Sequence, residues 1–175
     1  GRFVFNHSRD EVKAMAIEGT RMVREAIERE GLKEVCGYEF SPEEFTDSDL
    51  DFVLDLCCAV KREWGPSTPE SFILNLPATV ERRPPNQYAD MIELFCRNYP
   101  YLSETAISIH AHNDQGCAVA ASELAVLAGA TRVEGTIFGH GERTGNLDLA
   151  VLALNLESRG VPTGLSFSDM PEIVR

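Results

Sequence analysis

The sequence predicts an α/β fold built from parallel βα units. Three observations carry that reading. Strand-like segments begin near residues 35, 71, 105 and 132, so each unit spans roughly 27–36 residues. Each of these segments is followed by apolar residues at helical spacing. Gly, Pro, Asn or Asp stands between neighbouring segments, where the chain must turn. The order fits a small doubly wound sheet or part of a (β/α)8 barrel. A complete barrel takes about 250 residues and eight strands, and 175 residues supply about half of one.

The elements follow in order. Gly1–Phe5 is short and apolar and reads as a strand end or a loop. Ser8-Arg-Asp-Glu11 is a capping box, and Val12, Met15, Ala16, Met22, Val23 and Ile27 form the helical stripe behind it, ending near Gly31. Val35–Phe40 reads as the first strand. Thr46-Asp-Ser-Asp49 caps a helix carrying Leu50, Val53, Leu54, Cys57, Val60 and Trp64, which stops at Gly65-Pro66. Ser71–Leu76 is the second strand, and Pro84-Pro85-Asn86 opens a helix that runs to Asn98. Thr105–His110 is the third strand. A helix from Gln115 to Gly129 follows, with Asn113 or Asp114 as its cap. Arg132–Phe138 is the fourth strand. A last helix runs from Asn146 to Arg159, before Gly160 and Pro162. The tail from Leu165 is irregular, with a turn at Ser168–Pro171.

Composition narrows the function. Asp and Glu number 28 against 16 Lys and Arg, a net charge of −12. Nucleic acid and anionic membrane both demand a basic face, so neither is an expected partner. No apolar run approaches the roughly 20 residues of a membrane span. The N-terminus shows no basic-then-apolar signal pattern, and without a starting Met the sequence reads as beginning partway through a longer chain. The five cysteines (Cys36, Cys57, Cys58, Cys96 and Cys117) form no C-x-x-C pair and mostly sit in apolar runs. They read as reduced core residues of a cytoplasmic protein.

The chemistry concentrates at strand ends. His110 and His112 stand two apart at the end of the third strand, so both side chains share one face. Two imidazoles at that spacing can grip one metal from a rigid edge; the plain alternative is one core and one exposed histidine. Gly139-His-Gly-Glu-Arg-Thr-Gly-Asn146 follows the fourth strand, and its three glycines permit tight turns and close ligand approach. Glu142, Arg143 and Asn146 put an acid, a fixed cation and an amide on that loop. Thr79 and Glu43 lie just past the second and first strands. In a parallel α/β sheet or barrel these four loops share one rim, the usual seat of catalysis. A glycine turn, a solvated acid and a capped turn are the structural alternatives for them. His140 is ambiguous between rim and solvent, and His7 reads as structural or solvent-facing.

These residues carry a resemblance. His110-Ala-His112-Asn-Asp-x-Gly, the Gly-Ala-x-x-Val-Glu-Gly-Thr run from Gly129 to Thr136, and Gly-Glu-Arg-Thr-Gly-Asn146 resemble the acyl-CoA-condensing TIM-barrel metalloenzymes. That family includes the 2-isopropylmalate, homocitrate and citramalate synthases, with 3-hydroxy-3-methylglutaryl-CoA lyase as a cousin. Tyr38-Glu-Phe-Ser-Pro-Glu43, Asn75-Leu-Pro-Ala-Thr-Val-Glu81 and Leu152-Ala-Leu-Asn-Leu156 look most like the longer form of the isopropylmalate branch. The likeness extends from about Phe3 to Ile173.

The resemblance implies a fold, a single partial catalytic domain over 1–175, and a reaction. The chain would be the C-terminal half of a TIM (β/α)8 barrel, strands five to eight with the preceding helix. The enolate of acetyl-CoA would attack the keto carbon of 2-oxoisovalerate, and thioester hydrolysis would release CoA and 2-isopropylmalate. His110, His112 and Asn146 match metal ligands for a divalent ion (Mn, Zn, Mg or Co). Thr79 matches the threonine that binds the substrate carboxylate. Glu43 matches the glutamate lining the oxo-acid pocket, and Glu142 the glutamate near the acetyl group. Arg143 is expected to brace the loop.

Two departures stand out. His140 replaces the asparagine usual in the family loop. The adjacent Arg and Asp of the family's first strand, the Asp a metal ligand and the Arg an oxyanion stabiliser, have no counterpart; Arg9-Asp10 sits in a helix cap. The chain alone is therefore expected to be inactive, and to pair with another copy or with a complementary half-barrel. The alternatives are another 2-oxo acid, or a self-associating half-barrel scaffold without catalysis. A metal-dependent hydrolase also begins from a strand-borne H-x-H, but its bridging Lys and later His or Asp do not occur in the right places.

Overall fold

The computed structural model describes residues 7–174. The expected strand end or loop at Gly1–Phe5 lies outside them. Four strands, β1 (Tyr38–Phe40), β2 (Phe72–Ala78), β3 (Ala106–Ala111) and β4 (Arg132–Glu134), form one sheet. All three pairings are parallel, and the order is β1-β2-β3-β4. A doubly wound sheet reverses its strand order at a switch point. This sheet never reverses, so it is a stretch of barrel wall.

The helices are α1 (Arg9–Arg29), α2 (Leu50–Trp64), α3 (Pro85–Asn98), α4 (Ala118–Leu127), α5 (Leu149–Ser158) and the short α6 (Met170–Ile173). Their ends follow local chemistry. The Ser8–Glu11 capping box opens α1. Asp49 accepts from the Phe52 N–H to open α2, and Gly65, at φ 95°, closes it. Pro85 opens α3. Where a turn was expected at Ser168–Pro171, α6 winds a single turn behind Asp169.

Four expected boundaries move. β1 is only Tyr38–Phe40; Val35 and Cys36 lie in a turn, and Val35 is exposed. α4 begins at Ala118 because the chain first turns at Gly116, at φ 76°. β4 ends at Glu134, after which Ile137–Gly139 forms a 3-10 turn with Phe138 at φ 64°. α5 starts at Leu149, capped by Asp148 rather than Asn146. Of the five free cysteines only Cys57 is fully buried, so the expectation of five core thiols is too broad.

Strand alternation separates two faces. Phe72, Leu74, Leu76, Ile107 and Ile109 are wholly buried against Val53, Cys57 and Val60 of α2, Tyr88, Ile92 and Phe95 of α3, and Ala121 and Ala125 of α4. Each large side chain buried there contributes roughly 1.5–3 kcal/mol. The helices pack in sequence, α1 on α2, α3 on α4 and α4 on α5. Thr20 is the sole buried residue of α1; that helix is tied on by Thr20–Tyr38 (3.0 Å), Lys13–Asp55 (2.6 Å) and Arg24–Glu63 (3.1 Å).

The opposite face is polar. Register sets Asn75, Ser108 and Arg132 at one level and Pro77, His110 and Glu134 at the next, toward the carboxyl ends of the strands.

Candidate metal centre on the strand-end rim

The loops after the four strands are bound to one another. After β1, the Glu44 N–H donates to Thr79 Oγ1 at 3.0 Å, joining the first loop to the second. After β2, the Glu81 N–H donates to Asp114 Oδ2 at 2.9 Å, joining the second to the third. After β3, the Asn113 N–H donates to the Gly145 carbonyl at 3.0 Å, joining the third to the fourth. Arg143 crosses three of the loops: it donates to Asp114 at 2.7 and 3.1 Å and to the Thr79 carbonyl at 2.7 Å. The expected bracing role of Arg143 is its observed geometry. Hydrogen bonds from Arg143, then from the Glu81 N–H, hold the Asp114 carboxyl far below the usual carboxylate range. Asp114 is thus a loop tie rather than a helix cap; Asn113 Oδ1 accepts from the Ala118 N–H at 3.1 Å and caps α4. Glu81 supplements that cap, accepting from the N–H groups of Gln115 and Cys117.

His110, His112 and Asn146 come together in this frame. The two imidazole centroids are 5.3 Å apart. His112 pairs with Asn146 in an antiparallel bridge, and Asn146 Nδ2 donates to His110 Nε2 at 2.8 Å. Gly141 allows this: a Cβ there would overlap Asn146 Oδ1. Burial, then the charge of Arg143 and the neighbouring His110 ring, lower the pKa of His112. That favours the neutral imidazole a metal requires.

His112 Nδ1 is buried and has no hydrogen-bond partner. Two imidazoles and an amide oxygen suit a borderline divalent ion, and the orphaned nitrogen is what a ligand position would leave in a metal-free chain. The set is incomplete by itself: among the described residues no group of three or more His, Cys, Asp or Glu could hold a metal.

The other expected site residues divide. Thr79 joins the rim, with Oγ1 accepting from Glu44. A hydroxyl that accepts still has its own proton to donate. Glu142 is 79% exposed, with Arg143 Nη1 at 3.7 Å as its ion-pair partner. Glu43 is exposed and makes no hydrogen bond or ion pair among the described residues. Neither glutamate is drawn toward the histidines. His140 is exposed too, its carbonyl accepting from Thr136 Oγ1 at 2.6 Å.

One functional-face residue stood in the Val-Glu-Gly-Thr run but was given no role. Glu134 reaches His110 Nδ1 at 3.4 Å. It also accepts from Asn75 Nδ2 at 3.0 Å, from Ser108 Oγ at 2.8 Å, and from Arg132. The signal that could have found it is period-two polarity: Ser108 and His110 on β3, Arg132 and Glu134 on β4.

The chain is similar to known proteins. The HMGL-like family matches residues 2–175. The 2-isopropylmalate synthase of Thermobifida fusca is 52% identical over 176 residues, covering 99% of this chain and 31% of that protein. The enzyme of the same name from Saccharomyces cerevisiae is 47% identical over 173 residues, covering 98% and 28%. The chain thus spans less than a third of these relatives. Among solved structures, the HMG-CoA lyase of Bacillus subtilis superposes with a TM-score of 0.67 at 22% identity, over 94% of this chain and 53% of that one. The carboxyl transferase domain of Rhizobium etli pyruvate carboxylase gives 0.62 at 18% identity, over 86% and 25%.

Proposed function

Because the chain belongs to the HMGL-like family, we propose that it is the metal-bearing half-barrel of a 2-isopropylmalate synthase. The reaction is condensation of acetyl-CoA with 2-oxoisovalerate and water to give 2-isopropylmalate and CoA. The observation that carries the reading is the meeting of His110, His112 and Asn146 on a rim held by Arg143. The 52% identity to the Thermobifida fusca enzyme over nearly the whole chain supports the branch.

His110, His112 and Asn146 would hold the divalent ion, and Lewis-acid polarisation of the keto carbonyl is the chemistry such an ion supplies there. Mn, Zn, Co and Mg all suit the donors. Thr79 would donate its hydroxyl proton to the oxo-acid carboxylate while the Glu44 N–H fixes the oxygen. We assign Glu43 to the oxo-acid pocket and Glu142 to the acetyl group, on their rim positions alone. The compartment is cytoplasmic, a reading supported by five free thiols; among the described residues no helix is long and apolar enough to cross a membrane. The chain is one partial domain. Among the described residues β1 and β4 are the edges of the sheet, and a second copy or a complementary half-barrel would pair with them.

The first test is calorimetric titration of the chain with Mn(II). Micromolar binding, lost in His110→Ala and His112→Ala, is expected, and no binding would overturn the metal centre. The second test mixes the chain with acetyl-CoA, Mn(II) and a panel of 2-oxo acids and follows thiol release. Preference for 2-oxoisovalerate supports the branch; preference for another oxo acid reassigns it. No release with any of them supports the expectation that the chain alone is inactive.

A further inference from the structure

We infer that Glu134 is the positioning residue of the histidine pair, fixing His110 as the Nδ1–H tautomer and leaving Nε2 bare beside Asn146. The inference rests on the metal-ligand role proposed above for His110.

Two contacts on opposite sides of the ring require the same tautomer. A carboxylate only accepts, so the nitrogen 3.4 Å from Glu134 Oε2 must carry the proton. An amide NH2 only donates, so the nitrogen 2.8 Å from Asn146 Nδ2 must be bare. A ligating histidine is oriented in this way by the bond its other nitrogen makes.

Glu134 is itself held from several directions. Asn75 of β2 donates to Oε2, and Ser108 of β3 donates to Oε1. Arg132 of β4 donates to Oε1 and is anchored in turn by Glu39 of β1 at 3.0 Å and by Ser108 Oγ at 3.0 Å. All four strands therefore contribute to one carboxylate's position. Asn75, Ser108 and the Arg132 guanidinium all present protons to this carboxylate, so Glu134 is held as an acceptor.

The experiment is long-range 1H–15N correlation on the metal-free, histidine-labelled chain, paired with Mn(II) titration. His110 is expected as Nδ1–H in the parent chain. An Nε2–H resonance there overturns the inference without any variant. In Glu134→Ala the ring should move toward Nε2–H, and Mn(II) affinity should fall about 10–100-fold. A merely structural role would lower the melting temperature but leave the tautomer unmoved. Should the alanine variant not fold, the isosteric Glu134→Gln decides. A mixed tautomer and weaker binding are expected, and parent-like values on both overturn the assignment. If the parent chain binds no Mn(II) while His110 is still Nδ1–H, the proposed metal centre fails and the orientation by Glu134 stands.

Discussion

Gly141 shows how one missing methyl group shapes this rim. Its φ is not positive, so an alanine there meets no left-handed backbone strain; its Cβ would overlap the Asn146 side-chain amide, Oδ1 and Cγ, and touch the Asn146 backbone nitrogen at 3.4 Å. Gly141→Ala should therefore displace the Asn146 amide and weaken Mn(II) binding about tenfold or more, with little change in stability; calorimetry and a urea titration separate the two. Asp114 makes a complementary case. Its carboxyl is held low chiefly by Arg143, so its contribution to stability is complete above the unfolded value of about 4. That contribution is lost as pH falls from there toward the depressed folded value. Asp114→Asn should flatten the acid limb below about pH 4, read as urea midpoints between pH 6 and pH 2. A limb as steep as the parent's would remove Asp114 from the account.

At the scale of elements, α4 depends on a neighbour. Its N-cap residue Cys117 makes no side-chain cap bond, and Glu81, only 5% exposed, takes the N–H groups of Gln115 and Cys117 instead. Glu81→Ala would remove both of those bonds, at a cost of about 0.5–1.5 kcal/mol each; a urea midpoint indistinguishable from the parent's would refute the cap. Caps also explain which boundaries were legible. α2 and α3 carry theirs beside them, Asp49 with Gly65 and Pro84 with Pro85, so sequence and structure agree. β4 and α5 were overextended because their true ends are tertiary. The chain leaves the sheet after Glu134, and Thr136 pairs with Asp148 while His112 pairs with Asn146, so Asn146 is held by the residue just past β3 rather than by the helix it precedes. Nothing in the local spacing of 132–146 announces a partner so far along the chain. Glu134 stood in the Val-Glu-Gly-Thr run and on a polar face of period two, but its role was illegible because its four donors lie on three strands.

For the molecule as a whole, the repeat of strand and helix was legible because parallel units advertise themselves by period. Period alone left the choice between a wound sheet and a barrel wall open; the family resemblance pointed to the barrel, and the strand order of the sheet bears that out. Its unreversed order leaves β1 and β4 as the edges of the sheet among the described residues. Light scattering is expected to find dimers or larger species, whereas a stable, monodisperse monomer would count against self-pairing. The cohesion of the fold is also uneven. The sheet core is wholly buried, while α1 commits a single buried residue to it, supplemented by half-buried apolar residues such as Ala16, the Thr20–Tyr38 hydrogen bond and ion pairs to α2, exposed pairs of this kind being worth about 0–1 kcal/mol each. This helix should behave as a separate opening unit. In native-state amide exchange its protons should be replaced by deuterium well before those of β2 and β3, and at denaturant concentrations that leave the histidine rim protected.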